Sequence, residues 1–210
     1  MSKNTNYADN MAFISPFVLP IRQQYVSEIA DTSFWVNDVK QADNTNKIEV
    51  ENTAQDNWIE FNQASEQTCT IYPIDGQKYV AFSKSSLDVS NPSRFVFINT
   101  RGKSEKVGDC DVLILNDKWR FMEFKLNATS RSFLQIQENR DKAILQLART
   151  VTFFKEQPNN TLTAQNTKCI VVVPDFYPEI SKIDFEKNVE FLNEFGAPLS
   201  EISPDDVVIL

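Results

Sequence analysis

The chain reads as an α/β protein: a mixed central β-sheet flanked by helices over residues 94–210, with a mainly β extension over residues 1–93 packed on it in one compact unit. Three observations predict this. Residues 108–115 and 119–125 are two apolar, β-branched and aromatic runs around Asn116-Asp117-Lys118, which is hairpin chemistry. Residues 131–156 carry Phe133, Ile136, Ile144, Leu147, Val151 and Phe154 on one helical stripe, with Ser130 placed to cap it and Pro158 just beyond its end. Residues 169–173 form a continuous β-branched run ended by Pro174, the pattern of a strand buried on both faces.

The remaining elements are weaker signals. Residues 1–20, polar and then apolar with Pro16 and Pro20, read as an extended or disordered lead-in, and residues 21–30 as a short helix with Ile21, Tyr25 and Ile29 four apart. Residues 47–50, 58–61, 68–72 and 79–82 are strand-like, the last two separated by the turn signal Asp75-Gly76; residues 83–92 read as a loop. Residues 95–98 are a compact apolar strand, here taken as the first of the core, and 101–104 a turn. Residues 183–195 read as a second helix with Phe185, Val189 and Leu192 on one face and Gly196 after its end; 207–210 are a last short strand.

Composition narrows the chemistry. A chain of 210 residues is long enough for one domain with a sizeable core. No apolar run approaches membrane-spanning length, and no signal-peptide pattern opens the chain. The three cysteines, Cys69, Cys110 and Cys169, are odd in number and widely spaced, so a reducing cytoplasm is the expected compartment. Histidine is absent, which excludes Ser-His-Asp and Cys-His catalysis and histidine-ligated zinc. The net charge of −8 opposes binding to a phosphate backbone. A basic strip is nonetheless present: Arg94, Arg101, Lys103 and Lys106 against Glu105, then Arg131, Arg140, Lys142 and Arg149.

The hairpin holds the candidate site. With a three-residue bend, Leu115 faces Trp119, Leu113 faces Phe121, Asp111 faces Glu123 and Asp109 faces Lys125, so four charged groups share one end of one face. A two-residue bend would send Asp111 and Glu123 to opposite faces. Two carboxylates converging with a lysine suit a hard divalent cation such as Mg²⁺ or Mn²⁺. The alternative is a cross-strand salt bridge on a surface hairpin.

Asp111 followed after a turn by Glu123-Phe124-Lys125 resembles the Asp…Glu-x-Lys signature of the PD-(D/E)xK nuclease superfamily, and the order strand, strand, strand, long helix, buried strand over residues 94–174 resembles its restriction-endonuclease-like core. The resemblance implies Asp111 and Glu123 as metal ligands with the carbonyl of Phe124, Lys125 as the catalytic lysine, Mg²⁺ or Mn²⁺ as the cofactor, and nucleic acid, foremost DNA, as the substrate. Arg101, Lys103 and Arg140 are the candidate nucleic-acid contacts, Arg140 equally readable as a side chain at the edge of the core. The family's proline before the aspartate is Cys110 here. Its helical glutamate has no clear counterpart, Glu28 and Glu66 being the candidates. Its helical glutamine could be Gln135, Gln137 or Gln146. A homodimer would supply two sites for two strands. The alternative function is a catalytically inactive nuclease-fold binding protein, such as an acidic partner of a basic toxin or a subunit of a larger assembly.

Overall fold

The computed structural model describes residues 5–65, 67–75, 78–82, 87–178 and 185–210. In chain order it runs α1 (Thr5–Ile14), two 3₁₀ turns (Ser15–Phe17 and Pro20–Tyr25), β1 (Ser27–Ile29), β2 (Ser33–Lys40), β3 (Asn46–Glu51), β4 (Ile59–Asn62) and β5 (Cys69–Pro73). After a 3₁₀ turn at Pro92–Arg94 follow β6 (Val96–Ile98), β7 (Ser104–Lys106), β8 (Val112–Leu115), β9 (Trp119–Phe124), α2 (Phe133–Glu156), β10 (Thr167–Val172), α3 (Phe185–Phe195), β11 (Leu199–Ile202) and β12 (Val207–Ile209).

A six-stranded mixed sheet in the order β1-β5-β8-β9-β10-β11 forms the middle layer. The hairpin sits at its centre, and β10 runs parallel to both β9 and β11. Every residue of β8 and β9 is buried, because both faces are covered. One face carries Leu113, Leu115, Trp119, Phe121, Cys169 and Val171 against Ile136, Ala143, Leu147, Val151 and Phe154 of α2 and Ile14 of α1. The other carries Val112, Ile114, Met122, Phe124, Ile170 and Val172 against a second sheet, ordered β12-β4-β2-β3, whose inward residues include Phe34, Val36, Ile48, Ile59 and Phe61. Helices, sheet and second sheet therefore stack as three layers, with β6 and β7 as a separate two-stranded arm.

The structure corrects several expectations. Residues 5–14 are a helix rather than an extended lead-in. Tertiary contact decides it: Phe13 meets Trp119 and Phe154, Phe17 meets Phe153 and Phe154, and the amide of Asn10 donates to the Asn116 carbonyl. Ile21 is 81% exposed and its segment is only a 3₁₀ turn leading into β1, so its four-residue spacing had no core to face. Residues 79–82 contribute one isolated bridge, Val18 to Phe82, instead of a strand. Residues 95–98 do form a strand, but it pairs with β7 outside the central sheet. The place beside β8 goes to β5, from the N-terminal half. Residues 1–93 thus supply two strands of the central sheet, and β4 in turn pairs with the C-terminal β12, so the two halves interleave. Ser132, not Ser130, precedes α2, and neither side chain caps it; the Ser130 hydroxyl instead accepts the Ser132 amide. Phe133, assigned to the buried stripe, is 59% exposed. Gly76, residues 83–86, Ile183 and the Phe185 side chain lie outside the described residues.

Candidate functional site

The bend at Asn116-Asp117-Lys118 has three residues. The observed partners are Leu115 with Trp119, Leu113 with Phe121 and Val112 with Met122. The bend is closed by the Asn116 amide on the Lys118 carbonyl and by the Lys118 amide on Asn116 Oδ1. Regular pairing stops at Val112, and Asp111 continues to the position opposite Glu123. Asp111 Oδ2 accepts the Phe124 amide at 2.6 Å, which fastens the carboxylate to the end of β9.

The approach of Asp111 is set by α2. One turn of that helix grips the segment before β8: Gln146 donates from Nε2 to the Asp109 carbonyl at 3.1 Å, Arg149 pairs with the Asp109 carboxylate, and Thr150 Oγ1 accepts the Cys110 amide at 2.8 Å. Positions 146, 149 and 150 lie three and four apart, on one helical face. Asp109 is therefore committed to Arg149 rather than to Lys125, its expected cross-strand partner. Gln146 also accepts from Lys125 Nζ at 3.1 Å, which singles it out from Gln135 and Gln137, whose amides bond Asn139 and Asp141 along the helix.

Glu123 is 2% exposed and pairs through Oε1 with Lys125 Nζ at 2.5 Å. Its second oxygen, Oε2, is buried with no hydrogen-bond partner among the described residues. A carboxylate oxygen in that condition costs free energy unless a proton or a cation reaches it. Burial, opposed by Lys125, pushes the Glu123 carboxyl up to about 7. Burial, then the charges of Glu123 and Asp38, push Asp111 well above the usual carboxylate range, against Lys125 and the Phe124 amide. Burial alone would lower the Lys125 ammonium, but Glu123 and Asp111 outweigh it and hold it above its ordinary value.

Two further carboxylates act on this group, and sequence reasoning missed both. Asp38, on β2 of the second sheet, is 6% exposed and accepts from Asn46 Nδ2. Burial raises it to about 6, with Asn46 and Lys125 opposing and Asp75 adding to the rise. Asp75 follows β5, just past Ile74, whose amide bonds the Asp111 carbonyl at 2.8 Å. A side chain at Gly108 would strike the Asp75 carboxylate at 2.6 Å, so glycine there admits the close approach. The signal available for Asp38 was its position in the alternation Phe34, Val36, Asp38, which turns it inward with two apolar residues. Of the glutamates first considered, Glu28 lies exposed on the edge strand β1, and Glu66 is outside the described residues.

The basic candidates fare unequally. Arg101 and Lys103 are exposed in the turn between β6 and β7, where their backbone amides bond Asn99 Oδ1. Arg140 is 1% exposed and forms a two-pronged ion pair with Glu201 on β11, at 2.5 and 2.7 Å, with its guanidinium over the Tyr177 ring. A buried, paired guanidinium is not presented to a phosphate, and Arg140 is withdrawn from the nucleic-acid contacts.

The donor set at the hairpin is all hard oxygen. Asp111, Glu123 and the Phe124 carbonyl could hold Mg²⁺ or Mn²⁺ with water completing the shell. Among the described residues no group of three or more Asp, Glu, Cys or His side chains gathers as a metal cage. None of the described helices is long and apolar enough to cross a membrane. No protein-family model, curated protein sequence or solved structure matches this chain.

Proposed function

We propose that the protein is a divalent-metal-dependent phosphodiesterase acting on nucleic acid, foremost DNA, with Asp111, Glu123 and Lys125 as its working groups. The observation that carries this reading is the buried, unpartnered Oε2 of Glu123 beside Asp111, which lies opposite it across the hairpin. Asp111 and Glu123 would hold Mg²⁺ or Mn²⁺, which supplies a polarised phosphoryl oxygen and an acidified water. Lys125, held by Glu123 and Gln146, would orient an attacking water and offset charge that builds on the phosphate. The run from the strand that follows Asp111 through the strand with Glu123, the long helix and the parallel β10 resembles part of the PD-(D/E)xK order and supports the same reading, as does the helical glutamine, Gln146, on the lysine.

The test is Mn²⁺-dependent nicking of supercoiled plasmid by the parent protein and by Glu123→Gln. Nicking by the parent and none by the variant is the expected result; cleavage by Glu123→Gln at the parent rate removes the reading.

A second reading, an acidic binding protein on this fold, is favoured by the Lys125–Glu123 ion pair, which neutralises the lysine without any metal, and by the net charge of −8. It predicts no nicking, no heat of Mn²⁺ binding, and tight association with a basic protein.

A further inference from the structure

The opposite end of the same hairpin holds positive charge that the proposed reaction does not use. Arg120, next to the bend, is buried to 3% exposure on the face turned toward the second sheet. Its neighbour in register on the parallel strand β10 is Lys168. Like charges directly across a strand pair are destabilising unless an anion offsets them. None of the described residues provides one in contact. Arg120 donates to Asn116 Oδ1 at 3.0 Å and weakly to the Ile209 carbonyl at 3.4 Å, but forms no ion pair with a carboxylate. Asp117, in the bend, acts on it only through space. Lys168, an exposed residue, also has no ion-pair partner among the described residues, and partial desolvation together with Arg120 lowers its pKa.

These two cations border a cavity of about 450 Å³ at the end of the sandwich, with Lys118 at its rim and Pro198, Ile202 and Val207 as an apolar wall. Two adjacent cations match a dianion better than a monoanion. The guanidinium edge of Arg120 suits tetrahedral oxyanions. The volume exceeds what an inorganic ion fills and falls in the range of small-molecule sites.

We propose that this cavity binds the phosphate of a small phosphomonoester between Arg120 and Lys168, with the organic body of the ligand against Pro198, Ile202 and Val207. The site is separate from the carboxylates, at the other end of β9 and on its other face.

The experiment titrates phenyl phosphate into the full chain at pH 8 with EDTA present, so that no metal ion recruits the phosphate elsewhere. It is followed by ¹H–¹⁵N spectra and repeated on Lys168→Met, a substitution at an exposed position that leaves the core untouched. The expected result is saturable binding, with shifts centred on residues 118–120, 168 and 207–209, and at least tenfold weaker affinity in Lys168→Met. Absence of saturation, equal affinity in the variant, or shifts centred on Asp111 and Glu123 would overturn the proposal.

Discussion

Two buried ion pairs face α2 from the same row of the central sheet, and they are built to opposite ends. Glu123 on β9 and Glu201 on β11 are both in register with Val171 of β10, one on each side of it. Glu201 meets Arg140 with both oxygens, and the pair is closed off from solvent under Tyr177. Glu123 meets Lys125 with one oxygen only and leaves the other without a partner among the described residues, while Asp111 and Asp38 also bear on the same lysine. The first pair is matched one to one. The second gathers several carboxylates around one lysine. Burial of charge does not separate the two pairs; the gathering of carboxylates does, and the proposed function is built on it.

The sharpest way to break this comparison is to remove one glutamate at a time. Glu201→Ala leaves the Arg140 guanidinium buried without its partner and should cost about 3–5 kcal/mol of stability, read by urea denaturation, with most of it recovered in the double variant Arg140→Met/Glu201→Leu. Glu123→Gln should leave the metal-free fold intact, yet lower metal-dependent cleavage by about a hundredfold or more, the scale of losing a fixed charge at a reacting phosphoryl group. Equal destabilisation by both substitutions would erase the distinction.

A smaller effect tests how α2 places Asp111. Thr150→Val removes the hydroxyl that accepts the Cys110 amide and leaves that buried donor unpaired, a cost of about 1–3 kcal/mol in thermal or urea unfolding. Since the same segment carries Asp111, cleavage should fall with it, and a variant that loses stability but keeps full activity would detach the helix from the positioning of the carboxylate.

A further effect concerns pH. The Glu123 and Asp38 carboxyls are raised from 4.5 and 3.8 to about 7 and about 6 in the folded protein. Between those limits the folded state binds more protons than the unfolded state, so the stability of the metal-free protein should fall as pH rises from about 4 to about 7. Mn²⁺, which needs the ionised carboxylates, should restore stability at pH 7.5 and do little at pH 5. Melting curves across that range, with and without Mn²⁺, read both effects; a stability that rises through the window, or Mn²⁺ stabilisation that is stronger at pH 5, would contradict the crowding of acids at Lys125.

The hairpin was legible in the sequence because a three-residue bend and alternating apolar residues leave one register that buries both faces. The long helix was legible from its stripe, and the parallel strand from its unbroken β-branched run. What surrounds the hairpin was not. β5 takes the place given to residues 95–98 because strand adjacency depends on which apolar surfaces meet, and both segments are equally strand-like on paper. Asp38 lies on β2 and Asp75 just past β5, so no spacing from the hairpin points to them. The N-terminal helix owes its existence to Phe13 and Phe17 docking on the aromatic cluster around Phe154, a contact between residues far apart in sequence.

Asp111 and Glu123 are proposed to share one divalent ion, and calorimetric titration of Mn²⁺ into the metal-free protein at pH 7.5 tests that sharing. Saturable binding of one ion per chain, with release of protons and loss of binding in Glu123→Gln, is the predicted result. No heat of binding, or the same affinity in Glu123→Gln, would contradict it.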